Sequence, residues 1–83
     1  MPLSEQEYDA LKEWIEHNLV PIKTFNDFKT SYGLKHIFEF SENGFYVDND
    51  TFKKAMVECG FRVRSRNTEN WVFNISMNSP AFK

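Results

Sequence analysis

Residues 61–76 read FRVRSRNTENWVFNIS, and their alternation sets the expected architecture. Successive side chains of an extended chain point to opposite faces, so Phe61, Val63 and Ser65 share one side and Arg62, Arg64 and Arg66 the other. After the turn-forming run NTEN, Trp71, Phe73 and Ile75 make an apolar row, with Val72, Asn74 and Ser76 opposite. This pattern predicts a β-hairpin over 61–76 whose aromatic row lies on a core and whose three guanidinium groups lie in water. The stretch that leads into it is basic: Lys53, Lys54, Arg62, Arg64 and Arg66 place five of the ten basic residues within the fourteen positions 53–66.

Working outward, Ser4 and Glu7 form a capping box, with Leu3 and Tyr8 spaced as its hydrophobic staple. Leu11, Ile15 and Leu19 continue one face, joined by Trp14, which predicts a helix over 4–18 that Pro21 stops. Residues 25–40 carry Phe25 and Phe28 after a capping Thr24, then Leu34, Ile37 and Phe38 after Thr30 or Ser31. They read as one or two short helices that meet near Thr30, since Gly33 weakens a single one. SENG is a turn, and FYV at 45–47 has the content of a short strand. Asp48, Asn49 and Asp50 offer N-caps to a helix over 50–59 with Phe52, Ala55, Met56 and Cys59 on its apolar face. Gly60 is placed to close that helix in the left-handed conformation. Residues 77–83 read as a patternless tail.

Helix, short helices, brief strand, helix and hairpin in that order suit an α+β, winged-helix-like domain. In it, three or four helices pack on the C-terminal β-hairpin, and FYV can add a third strand. The alternative is a plain helical cluster with a C-terminal hairpin.

The chain of 83 residues is short for a self-sufficient core and is read as one domain. Cys59 is the only cysteine, so no disulfide closes within the chain, and two separated histidines with one cysteine give no usual zinc spacing. Stability therefore falls to nine Phe, three Tyr and two Trp, each burying a large area for few rotatable bonds. The acidic beginning lacks a signal-peptide core, and no apolar run has the length of a membrane span. Together with an unpaired thiol, this leads us to expect a soluble, cytoplasmic protein without membrane contact. Net charge is −2 overall, yet −4 over residues 1–20 and +4 over residues 51–83, an asymmetry that hints at an interaction surface.

No catalytic constellation stands out. His36 and Glu39 are three residues apart on one helix, but a third ligand or partner is missing. His17 complements a helix C-terminus, Cys59 lies on an apolar face as a small hydrophobe, and Ser31 and Ser41 have no identifiable base. Gly33, Gly44 and Gly60 are too scattered for a phosphate-cradling loop. A non-enzyme without cofactor or metal is expected.

Two binding modes remain. In a winged helix, the 50–59 helix enters a groove of DNA and the hairpin meets phosphates. Lys53, Lys54, Arg62, Arg64 and Arg66 are then the nucleic-acid-binding residues, and Tyr46 or Asn67 can add sugar or base contacts. The plainer role for the arginine row is to protect a strand edge from aggregation. In the second mode the chain is a protein-interaction module, using the acidic first helix or the arginine row and an aromatic anchor such as Trp14 or Phe82. Self-association into a homodimer is compatible with both.

The segments TSYGLKHIFE, GFYVDNDTFKKAMVECGF and NTENWVFNIS resemble short uncharacterised proteins of bacteriophages and prophages of low-GC Gram-positive bacteria, over roughly residues 29–76. The last two are also similar to small winged-helix modules at the C-termini of phage and plasmid replication primase-helicases, where a Phe-containing helix ending in Gly leads into a basic hairpin. The first resemblance implies a phage-derived origin, the second a DNA-binding winged helix.

Overall fold

The structure, a computed structural model, describes residues 3–83; Met1 and Pro2, the start of the expected single domain, lie outside the described residues. Helix α1 (Glu5–Asn18) begins as its sequence dictates. The Ser4 hydroxyl accepts the Glu7 N–H and the Glu7 carboxylate accepts the Ser4 N–H, so two otherwise orphaned donors are satisfied. Its Leu11 and Ile15 are fully buried, and the chain turns extended at Leu19, two residues before Pro21. Helix α2 (Ser31–Glu39) follows a long loop, and helix α3 (Asn49–Glu58) starts where the Asp48 side chain accepts the Thr51 N–H. Helix α3 packs against both α1 and α2. The core between them holds Leu34 and Phe38 from α2 and Phe52, Ala55 and Met56 from α3.

Two glycines are required where they stand. Gly60 closes α3 at φ +93°, a region that costs an L-residue about 1–2 kcal/mol. Gly44 brings its backbone so close to the end of α2 that an added Cβ would lie 2.0 Å from the Phe38 carbonyl oxygen.

The expected β-hairpin does not form, and the α+β winged-helix-like class is corrected to a three-helix fold without strand or sheet among the described residues. What remains of pairing is three isolated antiparallel bridges, Val63↔Phe73, Pro21↔Ile75 and Thr30↔Val72. The cause is local. Arg62 and Asn74 flank the Val63↔Phe73 bridge, where a ladder would give the Arg62 N–H to the Asn74 main-chain carbonyl. Instead the Asn74 side-chain oxygen takes that N–H at 2.6 Å, and the Asn74 carbonyl accepts from Ile22. The Asn74 amide nitrogen then donates to the Ile22 carbonyl at 2.7 Å. Side-chain amides thus replace ladder bonds, the competition that disfavours Asn within regular structure. Asn74, expected opposite the apolar row in water, is buried.

Residues 71–76 therefore lie between 61–64 and the 20–31 loop, sharing their hydrogen bonds with both. Phe73 and Ile75 do enter the core, while Trp71 is half-buried against it. Over 25–40 only one helix forms. Asn26 is tied to the C-terminal segment, its main-chain N–H on the Phe73 carbonyl and its side chain on Ile75, and its amide oxygen accepts the Phe28 N–H. The 45–47 strand is absent as well, because the Val47 N–H finds a side-chain acceptor, the Glu39 carboxylate, at 3.0 Å. Nor is the tail loose: the buried Ser79 hydroxyl accepts the Val20 N–H and donates to the Ser76 carbonyl, ahead of a 3₁₀ turn at Pro80–Phe82 that packs on α1.

Candidate interaction surfaces

The five cations of the 53–66 segment fall into three groups. Arg62 and Arg64 lean on the 20–30 loop. The Arg62 guanidinium donates to the Lys23 carbonyl at 2.9 Å and lies 5.7 Å from the Phe25 ring centroid, while Arg64 is ion-paired with Asp27. Lys53 and Arg66 both stand over the Trp71 ring, at 4.5 and 5.0 Å. Lys54 is directed toward α1, over the Tyr8 ring at 5.4 Å. Tyr8 donates to Glu58, and burial together with that carboxylate raises its phenol pKa.

Lys53 was expected on the solvent side of its helix and is buried, at 9% exposure. Its aliphatic stem lies in the protein and its ammonium reaches the Glu69 carbonyl at 2.9 Å and the Asp50 carboxylate at 3.3 Å. A recess of about 380 Å³ over Trp71 brings Lys53, Lys54 and Arg66 together, but Asp50 and Glu58 line it too. The structure therefore unites three of the five residues among carboxylates and sets Arg62 and Arg64 apart, Arg64 already paired.

A different surface emerges on α2. Leu34 and Phe38 are turned into the core, which leaves Tyr32, His36 and Phe40, at intervals of four, on the opposite side. The Tyr32 and His36 rings meet edge-on at 4.4 Å, and the His36 and Phe40 rings lie nearly parallel at 6.3 Å. Tyr46 joins them through Lys35, whose ammonium is 5.4 Å from the Tyr32 centroid and 5.2 Å from that of Tyr46. Tyr32, Tyr46 and Phe40 are 50%, 68% and 87% exposed. At ~200 Å² per aromatic side chain they present about 400 Å² of ring surface to water, the size of the largest and often functional patch of a monomer.

Beneath this row lies a buried ion pair. The side chains of Lys35 and Glu39 are 7% and 13% exposed, with 3.1 Å between ammonium and carboxylate. Glu39 also accepts the Val47 N–H, and its other oxygen lies 3.0 Å from His36 Nδ1. Burial pushes the Glu39 carboxyl up, but the Val47 N–H, Lys35 and His36 outweigh it and hold the group below the ordinary carboxylate range. Glu39 thereby fixes one end of the 45–47 segment, and with it the base of Tyr46, to the helix that carries the other rings. The His36–Glu39 pair noticed in the sequence is part of this scaffold. Among the described residues, no group of three His, Cys, Asp or Glu side chains could hold a metal ion.

Of the aromatic anchors expected from sequence, Trp14 and Phe82 are half-buried against the core. Tyr32 and Phe40 were missed, although their spacing opposite Leu34 and Phe38 was a readable signal. No helix of the described residues is long and apolar enough to cross a membrane. No protein-family model matches the chain, and neither a curated protein nor a solved structure does.

Proposed function

We propose that this chain is a non-catalytic protein-interaction module that holds its partner through the aromatic row Tyr32–His36–Phe40 and Tyr46. One observation carries the reading: three large rings stand in water on a single face, while the ion pair below them is fully engaged. Burying about 400 Å² is worth on the order of 10 kcal/mol before association costs. That is the scale of an interface core, with the surrounding polar surface as rim. Rings need little ordering on binding, and the Lys35–Glu39 pair holds their backbone in place beforehand.

The cations support nucleic-acid binding less well. Arg64 has a carboxylate partner and Lys53 is buried, so few charges are left to displace counterions from phosphates. The resemblance of residues 29–76 to phage and prophage proteins suggests the setting, a small protein acting on host or phage machinery, and the unpaired Cys59 suits a reducing cytoplasm.

The test is sedimentation of the fluorescently labelled protein in an extract of the cells that encode it. A faster-sedimenting species is expected that survives nuclease, is lost on proteolysis of the extract, and is absent for Phe40→Ala/Tyr46→Ala. The variant Arg62→Ala/Arg64→Ala/Arg66→Ala should retain it. A species sensitive to nuclease and to the arginine variant, but not to the aromatic one, would overturn the reading in favour of nucleic acid.

A further inference from the structure

A groove of about 490 Å³ runs between α1 and the turn after α2. Its floor is a chain of three rings in edge-to-face contact: Trp14 on Phe38 at 5.3 Å, and Phe38 on Phe45 at 5.0 Å. Glu13 and Glu42 line it, together with His17. Among the described residues neither Glu13 nor Glu42 has an ion-pair partner, in contrast to Glu39, Glu58, Asp27 and Asp50. No lysine or arginine lines the groove, which lies in the acidic part of the chain.

We propose that this groove receives an arginine or lysine side chain of the partner protein, a proposal that rests on the reading of the α2 row as the docking surface. The two features share the C-terminal end of α2, on different sides of the helix. Phe38 forms the floor, Phe40 ends the exposed row, and Glu42 lines the groove, all within five residues of one helix end. A basic side chain suits the arrangement along its whole length. Its methylenes lie against the rings, as amphipathic side chains do on apolar surface. Its charged head meets carboxylates that have no ion-pair partner among the described residues, and cations are favoured beside aromatic faces. An anionic or purely apolar insert would leave Glu13 and Glu42 opposed by like charge or stripped of water without compensation. A partner with a basic residue beside an apolar patch would thus be recognised, and one with an acidic residue there rejected.

The probes are N-acetylargininamide and N-acetyllysinamide, with N-acetylnorleucinamide as the uncharged control. Each is titrated into ¹⁵N-labelled protein while the Trp14 indole N–H and the Glu42 and Phe45 amides are followed. We expect saturable shifts from the basic compounds with millimolar dissociation constants, the range for one side chain in a shallow site, and none from the control. Glu13→Gln/Glu42→Gln should weaken binding about fivefold, the combined size of two exposed ion pairs. Both carboxylates face solvent, so this variant keeps its fold, which the unchanged remainder of the spectrum verifies. Absence of shifts, equal shifts from the norleucine compound, or indifference to the double substitution would overturn the proposal. If the groove fails while the Phe40- and Tyr46-dependent species in extract persists, only the groove assignment falls. If that species is missing but the basic compounds bind, the docking role of the α2 row falls instead.

Discussion

Removing the Glu39 carboxylate is the perturbation whose cost the structure defines best. Glu39→Ala leaves the Lys35 ammonium, on a side chain only 7% exposed, without its counterion at 3.1 Å, and strips the Val47 N–H of its acceptor. Breaking a buried pair by deleting one partner costs about 3–5 kcal/mol. Lys35 retains the Tyr32 and Tyr46 rings, which argues for the lower end, about 3 kcal/mol. For a domain of this size that lowers Tm by roughly 12–24 °C, measured by circular dichroism at 222 nm. The companion variant Lys35→Met/Glu39→Gln removes both charges and keeps an acceptor for Val47, so it should remain within about 1 kcal/mol of the parent. A fall of less than ~4 °C for Glu39→Ala, or equal destabilisation by the two variants, would refute the placement of a buried pair beneath the aromatic row.

Other expected outcomes follow from the same contacts. Asn74→Ala orphans the Arg62 N–H and the Ile22 carbonyl and should cost about 2–4 kcal/mol in urea unfolding, whereas an Asn74 loose in water would cost almost nothing. Gly44→Ala forces a methyl group into the Phe38 carbonyl and should cost roughly 3 kcal/mol or more. Gly60→Ala, in open space but at positive φ, should cost only about 1–2 kcal/mol. The Glu39 and Asp48 carboxyls are both held below their ordinary values of 4.5 and 3.8. For Glu39, Val47, Lys35 and His36 outweigh the upward push of burial; for Asp48, the Thr51 N–H bond is the main cause. On acidification the unfolded chain then takes up their protons first. Their contribution is fully present above about pH 5 and lost as pH falls through the folded-state values, so a Tm–pH profile should decline below pH 5, and less steeply in Lys35→Met/Glu39→Gln, where only the Asp48 part remains.

The parts of the fold governed by neighbouring residues were legible in the sequence. Ser4 with Glu7, Asp48 before α3 and Gly60 after it each act within four residues, and each does in the structure what its type and spacing imply. The hairpin failed because alternation tells which side chains face inward, not which backbone they pair with. Phe73 and Ile75 do face inward, yet their segment bonds to residues 20–31, some fifty positions away. Asn74 and Asn26 make that detour by offering amide groups in place of a ladder, and nothing in a period-two pattern distinguishes a buried Asn from a solvated one. The site was half legible for a related reason. The count of basic residues was readable, but the partners of Lys53 and Arg64, at Glu69 and Asp27, depend on tertiary placement. Tyr46 was read as a contact residue, but Tyr32 and Phe40 blended into a Phe-rich chain, and only the burial of Leu34 and Phe38 makes the opposite face of α2 the exposed one.

A photocrosslinking amino acid placed at position 40, and in a second variant at position 64, compares the two surfaces in the cell. The account predicts a discrete protein adduct from position 40 that disappears with Tyr46→Ala, and no specific adduct from position 64. Nucleic-acid adducts from position 64, with none from position 40, would contradict it.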